Sequence, residues 1–303
     1  MPSNAVRDYG LALSLSLIWG SSFLLIKIAV ADVPPLTMAA ARVAIAFAVL
    51  YAVARAGGRP LAPPWAEGGR ALWGHFLVIG MLGNGIPFTL ISWGEVEVTA
   101  ALAAILIGVM PVFTVVLAHG FGVERVSGPQ RLAGIAAGFA GLVVLIGPAV
   151  LAELGHSLLH QLAVIGGAAS YAATGVYARR LSLRMPAVVL SAGSMAAASL
   201  IMVPAALVLD APWRLAPGWG ALWAVLALGV VATGFASIIY FRLLAAAGPT
   251  FASTINYLIP VFGAGLGVAL LGESVGWMEI AALVLILSGI TLVRGPAAGG
   301  ARS

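Results

Sequence analysis

The sequence predicts an all-α integral membrane protein of ten transmembrane helices, built as two inverted five-helix repeats. Three observations predict it. The 303 residues are 62% hydrophobic and only 8% charged, against roughly 45–50% and 25% in soluble domains. Ten apolar runs can be drawn, a bilayer crossing needing about 20 residues. A short pattern also occurs twice. Met110-Pro111-Val112-Phe113 has Glu124 thirteen residues past its proline, and Ile259-Pro260-Val261-Phe262 has Glu273 at the same distance.

Composition excludes several function classes. With no cysteine, disulfides, thiolate metal sites and cysteine nucleophiles are ruled out. The net charge of +5 would suit nucleic acid, but the arginines fall at span ends, where they are topology signals. No Gly-x-x-x-x-Gly-Lys-Ser/Thr motif is present, so ATP hydrolysis is not expected. No nucleic-acid partner and no cofactor are expected.

The first run, residues 9–30, ends in Ala29-Val30-Ala31, which imitates a signal-peptidase site. Its length exceeds a typical signal core, and Trp19-Gly20-Ser21-Ser22 and Lys27 interrupt it. It is therefore expected to be a retained span. The remaining runs are 36–54, 72–92, 99–120, 132–146, 159–178, 187–209, 219–241, 250–271 and 277–293. The fifth is the shortest.

Orientation follows from the arginines. With a cytoplasmic N-terminus, the inner segments hold Arg7, Arg55, Arg59, Arg70, Arg125, Arg131, Arg179, Arg180, Arg184, Arg242, Arg294 and Arg302. The outer segments hold only Arg214, a bias of twelve to one. The positive-inside rule then puts both termini in the cytoplasm of a multi-pass inner-membrane protein. Trp65, Trp73, Trp213, Trp219 and Trp277 near span ends fit aromatic belts.

The duplication extends outward from the prolines. Trp19 and Lys27 are eight residues apart, as are Tyr171 and Arg179. Pro35 and Pro186 open matching runs, and the segment 141–147 echoes 289–295. The expected units are a first repeat at 1–150, a second at 151–295 and a disordered cytoplasmic tail at 296–303. Five spans per repeat is an odd number, so the repeats must be inverted. Small residues four apart, Gly134/Gly138 and Gly263/Gly267, let helices approach closely, within a monomer or across a homodimer.

Polar residues inside spans mark the candidate site, because a charge there costs about 2.5–3.5 kcal/mol even on the mildest scale. Lys27 reads equally as a snorkelling anchor or a functional group. Arg42 sits about six residues, roughly 9 Å, into its span. An anionic solute group or Glu95 could be its partner. Gly83-Asn84-Gly85-Ile86-Pro87 is the best candidate for unwound backbone, tolerated at depth only against protein or a cavity. Trp93 and Glu95 at the outer mouth could hold an ammonium by charge and cation–π attraction. Tyr171, Thr174 and Tyr177 share one face of the sixth span. Tyr240, Asn256 and Tyr257 complete the candidate binding set with Trp19. Pro87, Pro111 and Pro260 are candidate hinges. The latter two should leave the carbonyls of Ile107 and Asn256 without their helical donors. His119 reads as an interfacial histidine. Glu153, His156 and His160 lack the His-Glu-x-x-His pattern, so no metal site is expected.

At Trp19-Gly20-Ser21-Ser22-Phe23, Lys27, Arg42, Ser92-Trp93-Gly94-Glu95, Pro111 with Glu124, and Pro260 with Glu273, the chain resembles the EamA-type drug/metabolite transporters. The resemblance covers nearly the whole chain and implies ten helices in two inverted repeats. It is strongest to the YddG-like branch and so implies export of aromatic and other neutral amino acids.

The expected function is secondary transport of small neutral metabolites across the inner membrane by alternating access, the partners being the solute and the lipid bilayer. Another metabolite or drug class is the alternative solute. A membrane enzyme would need a His/Asp/Glu cluster at one interface. A purely structural membrane protein would need neither Arg42 nor repeated prolines. Reporter fusions test the topology. Those after Arg59 and Arg184 should read cytoplasmic and those near Asp32 and Pro212 external. A cytoplasmic signal at Pro212 would break the ten-span plan.

Overall fold

The structure, a computed structural model, describes residues 3–95, 97–98, 103, 106–123, 128–146, 154, 156–182, 185–259, 262 and 277–294. Its regular elements are helical, with no strand among the described residues. They are α1 (Ser3–Val30), α2 (Pro35–Ala56), α3 (Gly69–Gly94), α4 (Met110–Gly120), α5 (Pro129–Ile146), α6 (Leu158–Ser182), α7 (Ala187–Leu209), α8 (Trp219–Ser253) and α9 (Trp277–Arg294). Four of them, α2, α3, α7 and α8, are both long and apolar enough to cross a membrane. Glu124, Pro260, Glu273, Gly263, Gly267, the 296–303 tail and the Lys27 side chain lie outside what is described.

Helix α2 begins at Pro35, and α7 begins directly after Pro186. Proline suits a helix start, where its missing N–H leaves nothing unpaired. The N–H and hydroxyl of Thr37, in the first turn of α2, both donate to Asp210 beyond the end of α7, at 2.9 and 2.7 Å. Gly218, just before α8, donates its N–H to Asp32 at 2.9 Å. Both acids sit at helix N-termini, where the backbone dipole favours negative charge.

Helix α8 runs through the expected eighth span and into the ninth, but it is not straight. Gly248 leaves helical geometry at φ 86°, ψ 165°, and Pro249 follows. Only glycine accepts that φ without a steric penalty. The connection between the two expected spans is thus a corner rather than a loop.

The helices pair as duplication requires. Helix α2 packs on α7, and α5 packs on α9. Helix α3 packs on α6, and α1 packs on α8, each crossing from one half to the other. The α5–α9 contact is backbone against backbone. A Cβ on Gly134 would lie 2.7 Å from the Gly289 carbonyl oxygen. One on Gly138 would lie 2.5 Å from the Tyr257 ring. These glycines therefore pack within the chain. A large apolar cluster packs toward the end of the bundle where α1 begins, with Leu15, Phe76, Ile79, Leu190, Leu243 and Leu244 buried in it.

The expected unwound backbone at Gly83–Pro87 is instead a widened helix. Helix α3 takes a π-turn at Met81–Gly85, and α8 takes one at Leu228–Phe235. In α3 the Ile86 N–H reaches back five residues to the Met81 carbonyl. Pro87 is next in that register and has no N–H to give to Leu82. The Ser170 hydroxyl of α6 donates to the Leu82 carbonyl at 2.7 Å instead. On the other side, the Trp19 indole N–H of α1 donates to the Ala232 carbonyl at 2.9 Å. A second proline case lies at the α8 corner, where Pro249 cannot donate to Ala245. The Arg179 guanidinium of α6 donates to the Leu244 carbonyl at 2.7 Å and also to that of Ala245.

The first bond can be isolated by a double-mutant cycle. Ser170→Ala should cost about 1 kcal/mol, within the range for polar bonds between membrane helices. In a Pro87→Ala background, whose new N–H can serve the same stretch of backbone, the cost should fall by about half. Unfolding in mixed micelles measures both, and equal costs in the two backgrounds would refute the exchange of donors.

Candidate functional site

A cavity of about 150 Å³ lies between the two halves. Helices α1, α2, α3, α4, α6, α7 and α8 line it, α4 through Met110, together with Ile107, Asn256 and Ile259. Helices α2 and α7 contribute through Arg42 and Met195. The wall is mainly apolar, with polar groups at intervals, the composition of a small-molecule site.

The π-turns place its polar centre. Asn84 lies within the α3 π-turn and Thr233 within that of α8, and both line the cavity. Arg42 projects from α2 and is 6% exposed. Its Nε donates to the Thr233 hydroxyl. Its guanidinium carbon sits 4.1 Å from the centre of the Phe88 ring. Arg42 makes no ion pair among the described residues, so of its two candidate partners Glu95 is not engaged by it. Glu95 nevertheless lines the same cavity. Asn84 is 8% exposed, and its side-chain amide has no hydrogen-bond partner among the described residues.

Aromatic side chains complete the wall. Trp19 packs against Tyr240 with ring centres 5.8 Å apart, and Tyr171 meets Phe88 edge-on. The Asn256 amide donates to the Ser253 carbonyl at 2.9 Å and touches the Met110 sulfur. Trp19, Arg42, Asn84, Glu95, Tyr171, Tyr240 and Asn256 are thus brought together as expected.

Three expected residues lie elsewhere. Trp93 is half-exposed and stacks on His160, with ring centres 4.5 Å apart. The Tyr177 hydroxyl meets His75 Nδ1 at 2.6 Å. Tyr257 is buried against α5, where its hydroxyl donates to the Ile135 carbonyl at 3.2 Å. Of the candidate hinges, Pro87 directly follows the π-turn of α3. Pro111 sits in the first turn of α4, after a break at Gly108–Val109, rather than inside a continuous helix. Pro260 lies outside the described residues. No group able to hold a metal ion occurs among the described residues.

Phe88, Met195, Thr233 and Ser237 also line the cavity and were not anticipated. Only the repeat pointed near one of them, Thr233, which falls within Gly229–Gly234, the stretch of the second half that corresponds to the asparagine segment of α3.

A helical membrane bundle whose duplicated halves enclose a mainly apolar cavity with a few polar groups is the architecture of a secondary transporter. The chain belongs to the EamA-like transporter family, whose pattern matches residues 8–147 and 158–295. The inner membrane transporter YedA of Escherichia coli K12 is 28% identical over 286 residues, covering 94% of this chain and 90% of the relative. A probable amino-acid metabolite efflux pump of the same organism is 27% identical over 295 residues, covering 94% and 93%. The transporter YoaV of Bacillus subtilis is 22% identical over 278 residues, covering 92% and 93%. One crystal structure, 23% identical, superposes with a TM-score of 0.76 over 96% of this chain and 99% of its own, which shows the shared fold.

Filling the cavity should block it without unfolding the protein. Ser237→Trp puts an indole into the cavity wall and should reduce transport at least tenfold, by the loss of space alone. Trp93→Ala changes a residue outside the cavity and should stay within about twofold of the parent. Transport rates read alongside thermal unfolding test the pair. Normal transport by Ser237→Trp would disqualify this cavity.

Proposed function

We propose that this protein exports small neutral metabolites, amino acids first and aromatic ones among them, across the inner membrane by alternating access. The observation that carries the proposal is the cavity. Among the described residues it combines one cation, Arg42, and one anion, Glu95, in an otherwise mainly apolar wall. Opposite charges in one small apolar space suit a zwitterion. Its volume of about 150 Å³ holds on the order of ten water-sized particles. That is room for an amino acid. The relative named a probable amino-acid metabolite efflux pump supports the same solute class.

Both termini are assigned to the cytoplasm on the arginine bias. The packed apolar cluster then lies at the cytoplasmic end. The cavity walls continue from mid-depth toward Ile26 and Glu95 at the other end. This arrangement corresponds to a state closed to the inside. Transfer between states would swap which end of the bundle is packed.

Purified protein in proteoliposomes tests the reading. Neutral amino acids should move faster than in empty liposomes, with a small apolar or aromatic side chain preferred. Repeating the panel with an imposed proton gradient separates coupled export from passive flow. Failure of every amino acid tested, with folded protein in the membrane, would move the solute to another metabolite class.

A further inference from the structure

We propose that the Arg42 guanidinium and the Asn84 amide form a carboxylate-binding subsite, so that the exported solute is selected for a single carboxylate on a small, largely apolar body. The inference rests on the exporter reading and names which end of the solute is recognised.

Arg42 has five N–H donors and stays protonated in a protein. The Thr233 hydroxyl takes one of them, at Nε. The four on Nη1 and Nη2 have no protein partner among the described residues. A cation this buried is costly unless something compensates it. The Phe88 ring covers one face of the guanidinium at 4.1 Å. The Nη edge is what remains, and its parallel N–H groups match the two oxygens of a carboxylate. Asn84 lines the same cavity with an amide that has no partner among the described residues and can donate to the same anion. A phosphate monoester also fits an arginine fork, but it carries more charge. Arg42 is the one arginine or lysine among the described lining residues, and Glu95 lies in the same wall. That balance favours a monoanion whose other end is neutral or cationic.

The bland reading is that Arg42 only pins α2 to α8 through Thr233. A pin uses one donor and is indifferent to what enters the cavity. Selectivity therefore separates the two readings. Thr233 acts as a positioning residue, fixing the Nε side so that the Nη edge faces the solute.

The experiment compares phenylalanine, leucine and threonine, each with its own amide, in proteoliposomes of the full chain. In the parent protein each transported acid should beat its amide by about ten- to hundredfold, the range for hydrogen bonds to a charged group. Arg42→Gln and Asn84→Leu should pull that ratio toward one. Thr233→Val should lower it, mainly through KM, and Thr233→Ser should keep it. Equal transport of acid and amide by the parent overturns the subsite while leaving the exporter reading intact. Transport of none of the six overturns both. Undiminished selectivity in a folded Arg42→Gln protein overturns the role of Arg42. Should that variant not fold, the parent ratio and the Thr233 pair decide the matter.

Discussion

The fold depends on finding donors for backbone carbonyls that its own helices leave unserved. Inside a bilayer there is no water to take their place, and each unsatisfied group costs several kcal/mol. Leu82, five residues before Pro87, is one such case; Ala232, inside the α8 π-turn, also takes a donor from another helix; and Ala245, four residues before Pro249, is the second case. Their donors are Ser170, Trp19 and Arg179. The donors belong to α1 and α6, the first helix of each repeat. The acceptors belong to α3 and to α8, the third helix of each repeat and its continuation. Two of these bonds, Ser170 to Leu82 and Trp19 to Ala232, join one repeat to the other. Irregular backbone is thereby made safe only when the repeats are docked. The same irregularity builds the site, because Asn84 and Thr233 are members of the two π-turns.

Much of the cavity was legible because polarity in a membrane span is expensive. That cost argument finds Arg42, while Asn84 stands out by its glycine and proline neighbours, Glu95 by its place at the outer mouth and Asn256 by its place before Pro260. The cost argument is blind to Thr233 and Ser237, which are cheap in a helix because the hydroxyl can bond its own backbone. Ser237 does so, donating to the Gly234 carbonyl at 2.9 Å. Phe88 and Met195 are apolar and look like any lipid-facing residue in the sequence. Helical spacing failed in a different way. Tyr177 follows Tyr171 on α6, but six residues is roughly 9 Å along the axis, which takes it out of the cavity to His75. Periodicity reports a face and says nothing about depth or about which helix stands opposite.

The prolines show the same limit. Breaks were expected at Pro111 and at the glycine-rich stretch before Pro87, and both places do depart from a regular α-helix. The form of the departure was not legible. A π-turn and an unwound loop both tolerate glycine and proline, and the choice rests on whether a neighbouring helix offers a donor. Pro249 went unnoticed because Gly248-Pro249 reads as an ordinary loop between spans. The structure makes it a corner whose orphan carbonyl is held by Arg179. That arginine carries a topology charge and a structural bond at once, since a cation is also favoured where a helix ends in exposed carbonyls.

The locations of these bonds limit how the bundle can open. A bond can be surrendered cheaply only where water or solute can replace it. Ala232 lines the cavity, so its carbonyl can trade Trp19 for a solvent partner when α1 and α8 separate. Ala245 lies beside the corner at the end of the first part of α8, where water at the membrane surface can replace Arg179. Leu82 has no such outlet. Its donor Ser170 is buried and does not line the cavity, so parting α3 from α6 would strand a carbonyl in a dry interior. If the bundle opens alternately, α3 and α6 therefore move as one body, and α8 moves against them. In such an opening the seam whose hydrogen bonds can be exchanged would part, and the seam whose bond cannot would stay closed.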